Sequence, residues 1–189
     1  MKNLQFVYEG DKGSRIVSWF REHLRGIACC VNAGLPESAL ILLYSGIDTL
    51  GLLSAPKGIH EASGKTFTDW CEKYLLSKLQ TIDGEPLTAL DLWAARCGVL
   101  HTSTSVSKLG REGKVHEIWY QFKGKAGVNL MTNTKLPALG LDLIELGVAF
   151  KEGGVIFITE LKEDPNRFHI AEQRAGSFFR WGRMIVEGH

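Results

Sequence analysis

The sequence predicts a mainly helical domain, a bundle of four to five helices that carries a small β-hairpin. Three observations point to it. Apolar residues recur at helical spacing through most of the first half of the chain. Helix-stop and helix-start residues follow one another in the expected order. Only one stretch, 114–132, is rich in β-formers.

Ser14 is placed to cap the first helix, whose apolar face is Ile16, Trp19, Phe20, Leu24, Ile27, Ala28 and Val31. Gly34 ends it and Pro36 opens the next, because Gly accepts the left-handed exit and Pro is preset for a first helical turn. The second helix, Glu37 to about Leu53, is apolar nearly all round, the pattern of a buried central helix. Pro56, Gly58 and Gly64 make 54–65 a loop. Thr66 then reads as a cap with Asp69 three positions on, starting a third helix over Phe67–Leu79. After the turn Asp83-Gly84-Glu85-Pro86, a fourth helix runs from about Leu87 to Leu100. Its apolar stripe is Leu90, Trp93, Ala94, Cys97 and Leu100.

The hydroxyl-rich segment Thr102–Ser107 is a poor helix former and a natural stop. Lys114–Phe122 reads as a strand and Val128–Thr132 as its return, turning around Gly124 and Gly127. A helical pattern resumes near Pro137 with Leu143, Gly147, Phe150, Gly154, Ile158 and Leu161. Gly153 and Gly154 weaken it by about 1 kcal/mol each relative to Ala, so Val155–Ile158 is readable as helix or strand. From Asp164, Arg167, Arg174, Arg180 and Arg183 alternate with Phe168, Phe178, Phe179 and Trp181. That tail reads either as a terminal helix with Phe178 and Trp181 in the core or as a surface where bases stack. The whole chain, 1–189, is taken as one domain with a core over about 14–104, the hairpin over about 114–132 and C-terminal helices over about 137–189.

Composition limits the function classes. With 44% apolar and 23% charged residues, 189 residues bury a full core without disulfides or metals. A net charge of +1 gives no global attraction for nucleic acid. An RNA surface would be local, or made by pairing two chains. Cys29, Cys30, Cys71 and Cys97 show no C-x-x-C spacing and read as buried, reduced thiols of a cytoplasmic protein. The N-terminus lacks an apolar signal core. The longest apolar run, Ala39–Tyr44, is too short to cross a bilayer, so no membrane association is expected. No carboxylate cluster suggests magnesium, and His23, His60, His116 and His169 lack ligand spacing; no metal or cofactor is expected.

The chemical candidate is Arg96-Cys97-Gly98-Val99-Leu100-His101, at the end of the fourth helix. Arg supplies a permanent forked cation and His a proton switch near neutrality, which together suit a phosphodiester. The spacing alone is weak evidence, since chance supplies an Arg followed by His five positions on about 0.3 times in such a chain. Arg111 and His116 repeat it in a polar glycine loop. Only Arg96 and His101 sit where helix packing can hold them still.

Leu92–His101 resembles the Arg-x4–6-His signature of the HEPN family (higher eukaryotes and prokaryotes nucleotide-binding). Tyr44-Ser45-Gly46-Ile47-Asp48 on the second helix resembles the Tyr-Ser-x-Ile-Asp segment of one bacterial branch. Thr66–Tyr74 is similar to the helix between the two motifs. The resemblance covers about 14–104. It implies a HEPN-like helical bundle that pairs as a homodimer with Arg and His of both chains facing one cleft. The implied activity is metal-independent RNA cleavage in a toxin–antitoxin or phage-defence setting, with an antitoxin protein as a further partner. The alternative is a catalytically inactive HEPN module for dimerisation and for binding nucleotide, RNA or protein. Many catalytic members carry a polar residue after the motif Arg; this chain has Cys97.

The residues divide the chemistry accordingly. His101 acts as base or acid, and Arg96 stabilises the crowded phosphorane. For His101 the alternative is a hydrogen-bonded core histidine. Asp48 either orients Arg96 or His101, or makes a helix-packing hydrogen bond. Tyr44, Cys97, Thr102 and Ser103 are the candidate substrate contacts. Tyr44 is also readable as core, and the two hydroxyls as helix cap and solvated loop. On a straight helix, five positions turn about 140°. Arg96 and His101 therefore need a helix break near Gly98–Leu100, or a second chain.

Overall fold

A helix without a polar face must be covered on every side, and the fold is largely the covering of one such helix. A computed structural model describes residues 13–82, 84–102, 109, 112–122 and 138–177, and of residues 101 and 102 the backbone alone. It contains α1 (Arg15–Ala33), α2 (Pro36–Ser54), α3 (Gly64–Trp70), α4 (Ala89–Thr102), α5 (Leu143–Glu163) and α6 (Pro165–Ala175). A two-stranded sheet of β1 (Glu117–Gln121) and β2 (Ala138–Asp142) accompanies them. α2 touches all five other helices. The molecule is mainly helical, as the sequence predicts, and no described helix is long and apolar enough to cross a membrane.

The first two helices follow their sequence signals. Ser14 Oγ accepts from the Val17 N–H at 3.2 Å, and Gly34 closes α1 at φ +75°, where a side chain would be strained. Pro36 opens α2. α3 starts earlier than expected. Ser63, not Thr66, is its cap: Ser63 Oγ accepts from the Thr66 N–H at 3.2 Å, and Thr66 Oγ1 accepts from the Ser63 N–H at 2.9 Å. Thr66 does the work of the Glu or Gln usual at the third position of a capping box. Nor is α3 one helix to Leu79. It widens into a π turn over Cys71–Leu75 and tightens into a 3-10 turn over Leu76–Lys78.

The described sheet is a parallel pair that the sequence reading did not foresee. β1 pairs with β2, and the pair is parallel, Ile118 opposite Leu139 and Tyr120 opposite Leu141. The return strand expected over 128–132 lies outside the described residues. A parallel pair needs a long connection, and the segment between the strands supplies one. Pro137 misled the reading: the residues after it alternate, Leu139 and Leu141 inward, before Asp142 caps α5 through the Ile144 and Glu145 N–H groups at 2.7 and 3.1 Å. The Ile82 N–H also donates to the Gly140 carbonyl at 2.9 Å.

α5 runs unbroken through Gly153 and Gly154, so Val155–Ile158 is helix. These glycines are contact points rather than breaks. A Cβ on Gly153 would stand 2.5 Å from the Tyr74 carbonyl in the π turn, and one on Gly154 would stand 2.3 Å from the Phe20 ring. The thiols also depart from expectation. Cys71 is buried, Cys30 and Cys97 are half-buried and Cys29 is exposed.

α6 clasps the ends of two helices. Glu172 accepts from Ser14 Oγ at 2.5 Å and from the Arg15 and Ile16 N–H groups at 3.2 and 3.1 Å, which covers the N-terminus of α1. Arg174 donates to the Leu52, Ala55 and Pro56 carbonyls at 3.1, 2.6 and 2.5 Å, which covers the C-terminus of α2. Each places charge of the sign the helix dipole favours. Phe178, Arg180, Trp181 and Arg183 of the expected arginine–aromatic tail lie outside the described residues.

His23 sits between α1, α2 and α5. It stacks on Trp19 with ring centroids 4.9 Å apart, and its Nε2 lies 2.7 Å from the Leu42 carbonyl. Gly46 makes the room, because a Cβ there would stand 2.6 Å from both His23 and Phe150. Burial lowers the imidazole pKa below its usual 6.5, and the bond to Leu42 opposes that in part.

Two outcomes test this packing. Gly153→Ala gains helix propensity but meets a backbone carbonyl that cannot move aside, and a net loss of about 1–3 kcal/mol is expected in urea denaturation. His23 takes up a proton less readily in the folded chain than in the unfolded one. Its contribution is therefore complete above pH 6.5 and falls as the pH drops from there toward the lowered folded value. His23→Gln should flatten the stability–pH curve over that interval.

Candidate active site

Asp48 lies in the middle of α2, flanked in sequence by the fully buried Ile47. A carboxylate there requires a cation, and α4 supplies it. Arg96 Nε and Nη2 both donate to Asp48 Oδ2, at 2.8 and 2.6 Å. The side chains are 16% (Arg96) and 12% (Asp48) exposed, so the pair is shielded from solvent without being sealed. Trp93, three positions before Arg96 and on the same helix face, holds the guanidinium from another side, 4.9 Å from ring centroid to Cζ. Gly64 packs against Trp93, where a Cβ would stand 3.1 Å from the indole.

An aromatic series continues inward. Trp93 meets Phe67 at 5.4 Å between centroids, and Phe67 stacks on Tyr44 at 6.3 Å. The Tyr44 hydroxyl pairs with that of Tyr120 on β1. Burial, the larger cause, and the neighbouring phenol push the Tyr44 pKa up; burial does the same to Tyr120. Tyr44 is fully buried, in keeping with the core reading that the sequence leaves open for it beside substrate contact. Its role is to tie α2 to β1. Cys97 is half-buried beside Arg96 in sequence.

The structure thus brings together Asp48 and Arg96, one of the two alternatives the sequence leaves for Asp48. α4 runs helically through residue 102, so the helix break near Gly98–Leu100 is absent. The backbone of His101 is therefore about 140° around from that of Arg96. The side chains of His101 and Thr102, and all of Ser103, lie outside the described residues. The expected apolar stripe of α4 holds in part. Ala94 is buried and Trp93 and Leu100 pack against the core, but Leu90 is exposed, and Leu92 and Ala95 are buried beside the stripe.

A second buried carboxylate went unread. Asp91 Oδ2 accepts from the Thr88 N–H and Oγ1 at 2.9 and 2.6 Å, and Thr88 Oγ1 accepts from the Asp91 N–H at 3.1 Å, a capping box at the start of α4. Asp91 Oδ1 accepts from the His116 N–H at 2.8 Å and lies 3.3 Å from His116 Nδ1, which fastens β1 to α4. Thr88-x-x-Asp91 was the available signal. Among the described residues no group of three His, Cys, Asp or Glu is arranged to hold a metal ion.

No family model matches this chain, and no curated protein or solved structure matches it either.

Removing the Asp48 charge strands a shielded guanidinium. Asp48→Asn is expected to cost about 3 kcal/mol, the lower end for breaking a buried pair. Urea denaturation should show this as a lower midpoint with an unchanged slope.

Proposed function

We propose that the Arg96 region of α4 is the phosphate-binding part of an RNA-cleaving site, in a metal-independent endoribonuclease with a HEPN-like bundle. The carrying observation is the immobilised guanidinium: Asp48 holds two of its nitrogens and Trp93 lies against it. A cation fixed before substrate arrives stabilises transition-state charge without reorganising. The exposed part of Arg96 is what a phosphate reaches.

In the proposed reaction the ribose 2′-oxygen attacks the adjacent phosphorus. One His101 takes the 2′-hydroxyl proton, and a second His101 gives a proton to the departing 5′-oxygen. Arg96 bears the charge of the phosphorane between them. The products are a 2′,3′-cyclic phosphate and a 5′-hydroxyl. Two histidines are needed at once, and the backbone of each lies about 140° around α4 from the Arg96 of its own helix. Both requirements support a homodimer in which α4 of each copy borders one cleft. Pairing also doubles the local positive charge of a nearly neutral chain. A toxin or phage-defence role, with RNA as substrate, an antitoxin protein as partner and the cytoplasm as location, belongs to the same proposal.

The shielding of Arg96 also supports a second reading, a catalytically inactive module in which the pair clamps α2 to α4. RNA cleavage in EDTA separates the two. Cleavage by the wild type, with a loss of about 10²–10⁴-fold in His101→Ala, is the outcome expected of the enzyme. Intact RNA after incubation with folded wild type, bound or not, favours the clamp.

A further inference from the structure

A second opening lies away from Asp48 and Arg96. The end of α2, the loop after it, α3 and α6 enclose a cleft of about 420 Å³. A smaller one of about 310 Å³ shares Ser54, Ala55, Pro56 and Arg167 with it. Asp48, Tyr44, Trp93 and Arg96 line neither. Much of the larger wall is apolar: Pro56, Ile59, Trp70 and Tyr74 contribute to it, and Ile59 is 42% exposed.

Around this wall stand Lys57, Lys65, Lys73 and Arg167. Two carboxylates answer them. Asp69 pairs with Lys65 at 2.9 Å, and Glu160 pairs with Lys73 at 2.7 Å and accepts from the Tyr74 hydroxyl at 2.9 Å. Cations remain in excess. Arg167 lines both clefts, and among the described residues its guanidinium has no hydrogen-bond partner. Its field acts on Glu160, whose pKa Lys73 chiefly lowers. Trp70 also lines the cleft, and at 1% exposed its indole is held in place there as a reporter of what enters.

We propose that this cleft binds a small amphipathic anion, with an apolar body against Pro56, Ile59 and Tyr74 and a carboxylate, sulfonate or phosphate head at Arg167. The volume lies in the range of small-molecule sites, roughly 300–1,000 Å³. The proposal is independent of RNA cleavage and concerns a different face of the bundle.

The test titrates the full chain with anilinonaphthalene sulfonate and with its uncharged analogue phenylnaphthylamine. Fluorescence reads affinity and stoichiometry, and the tryptophan indole N–H signals in an NMR spectrum read the location. Trp70→Phe identifies the Trp70 signal, or sequential assignment does so if that variant does not fold. One-to-one binding of the sulfonate that shifts the Trp70 indole signal is expected. Arg167→Ala should weaken the sulfonate by about tenfold, as for loss of a charge-assisted hydrogen bond, and leave the uncharged analogue unchanged. An unmoved Trp70 signal, multiple weak sites, or equal effects of Arg167→Ala on both probes would overturn the proposal. So would a Trp70 shift produced by an acidic peptide and not by the sulfonate, which would make the cleft a peptide site.

Discussion

The pair between Asp48 and Arg96 decides how two helices face each other. α2 is packed against all five other helices, so its one mid-helix carboxylate is largely shielded from water and requires a partner from a neighbour. α4 provides it only when rotated so that Arg96 turns inward, and the same rotation sends Leu90 out to solvent. A buried ion pair adds little net stability over a well-packed apolar pair, but losing one partner is costly. Its consequence here is orientation: the rotation of α4, the seat of Trp93 and the immobility of the guanidinium follow from it.

The rest of the bundle keeps those two helices in place by closing their ends and by close backbone approach. α6 reaches the start of α1 with Glu172 and the end of α2 with Arg174, so groups that water would otherwise satisfy become contacts between helices. Gly51, with a Cβ position 2.6 Å from the Thr66 carbonyl, lets α2 and α3 meet nearly backbone to backbone; Gly153 does the same for α5 and the π turn. Asp91 joins its own helix cap to β1. Polar side chains thus lock the connections between elements whose apolar faces alone permit several rotations.

That division explains what the sequence makes legible. Ser14, Gly34 and Pro36 act locally, and their signals mark α1 and the start of α2 correctly. Asp48 with Arg96 was one of the pairings open to the sequence, because a carboxylate mid-helix among apolar residues is rarely buried without a partner. The stripe of α4 was misjudged in part for the same physical reason: Asp91 and Arg96 count as outward residues in any hydrophobic pattern, yet both turn inward to polar partners. The parallel pairing of β1 and β2 is non-local and leaves no mark in the spacing of either segment. Gly153 and Gly154 looked like helix breakers because their value lies in Tyr74 and Phe20, far away in sequence. Trp93 was placed in the apolar stripe, and its contact with a charged side chain appears only once Arg96 is known to face inward.

The most direct measurement is a double-mutant cycle across the pair: Asp48→Asn, Arg96→Gln and the two combined, each followed by urea denaturation. If the two side chains fix the rotation of α4 together, the combined variant will be more stable than the separate losses add up to, with a coupling of about 1–3 kcal/mol. Strict additivity would mean that the carboxylate and the guanidinium act separately, and would contradict the account of how α4 is oriented.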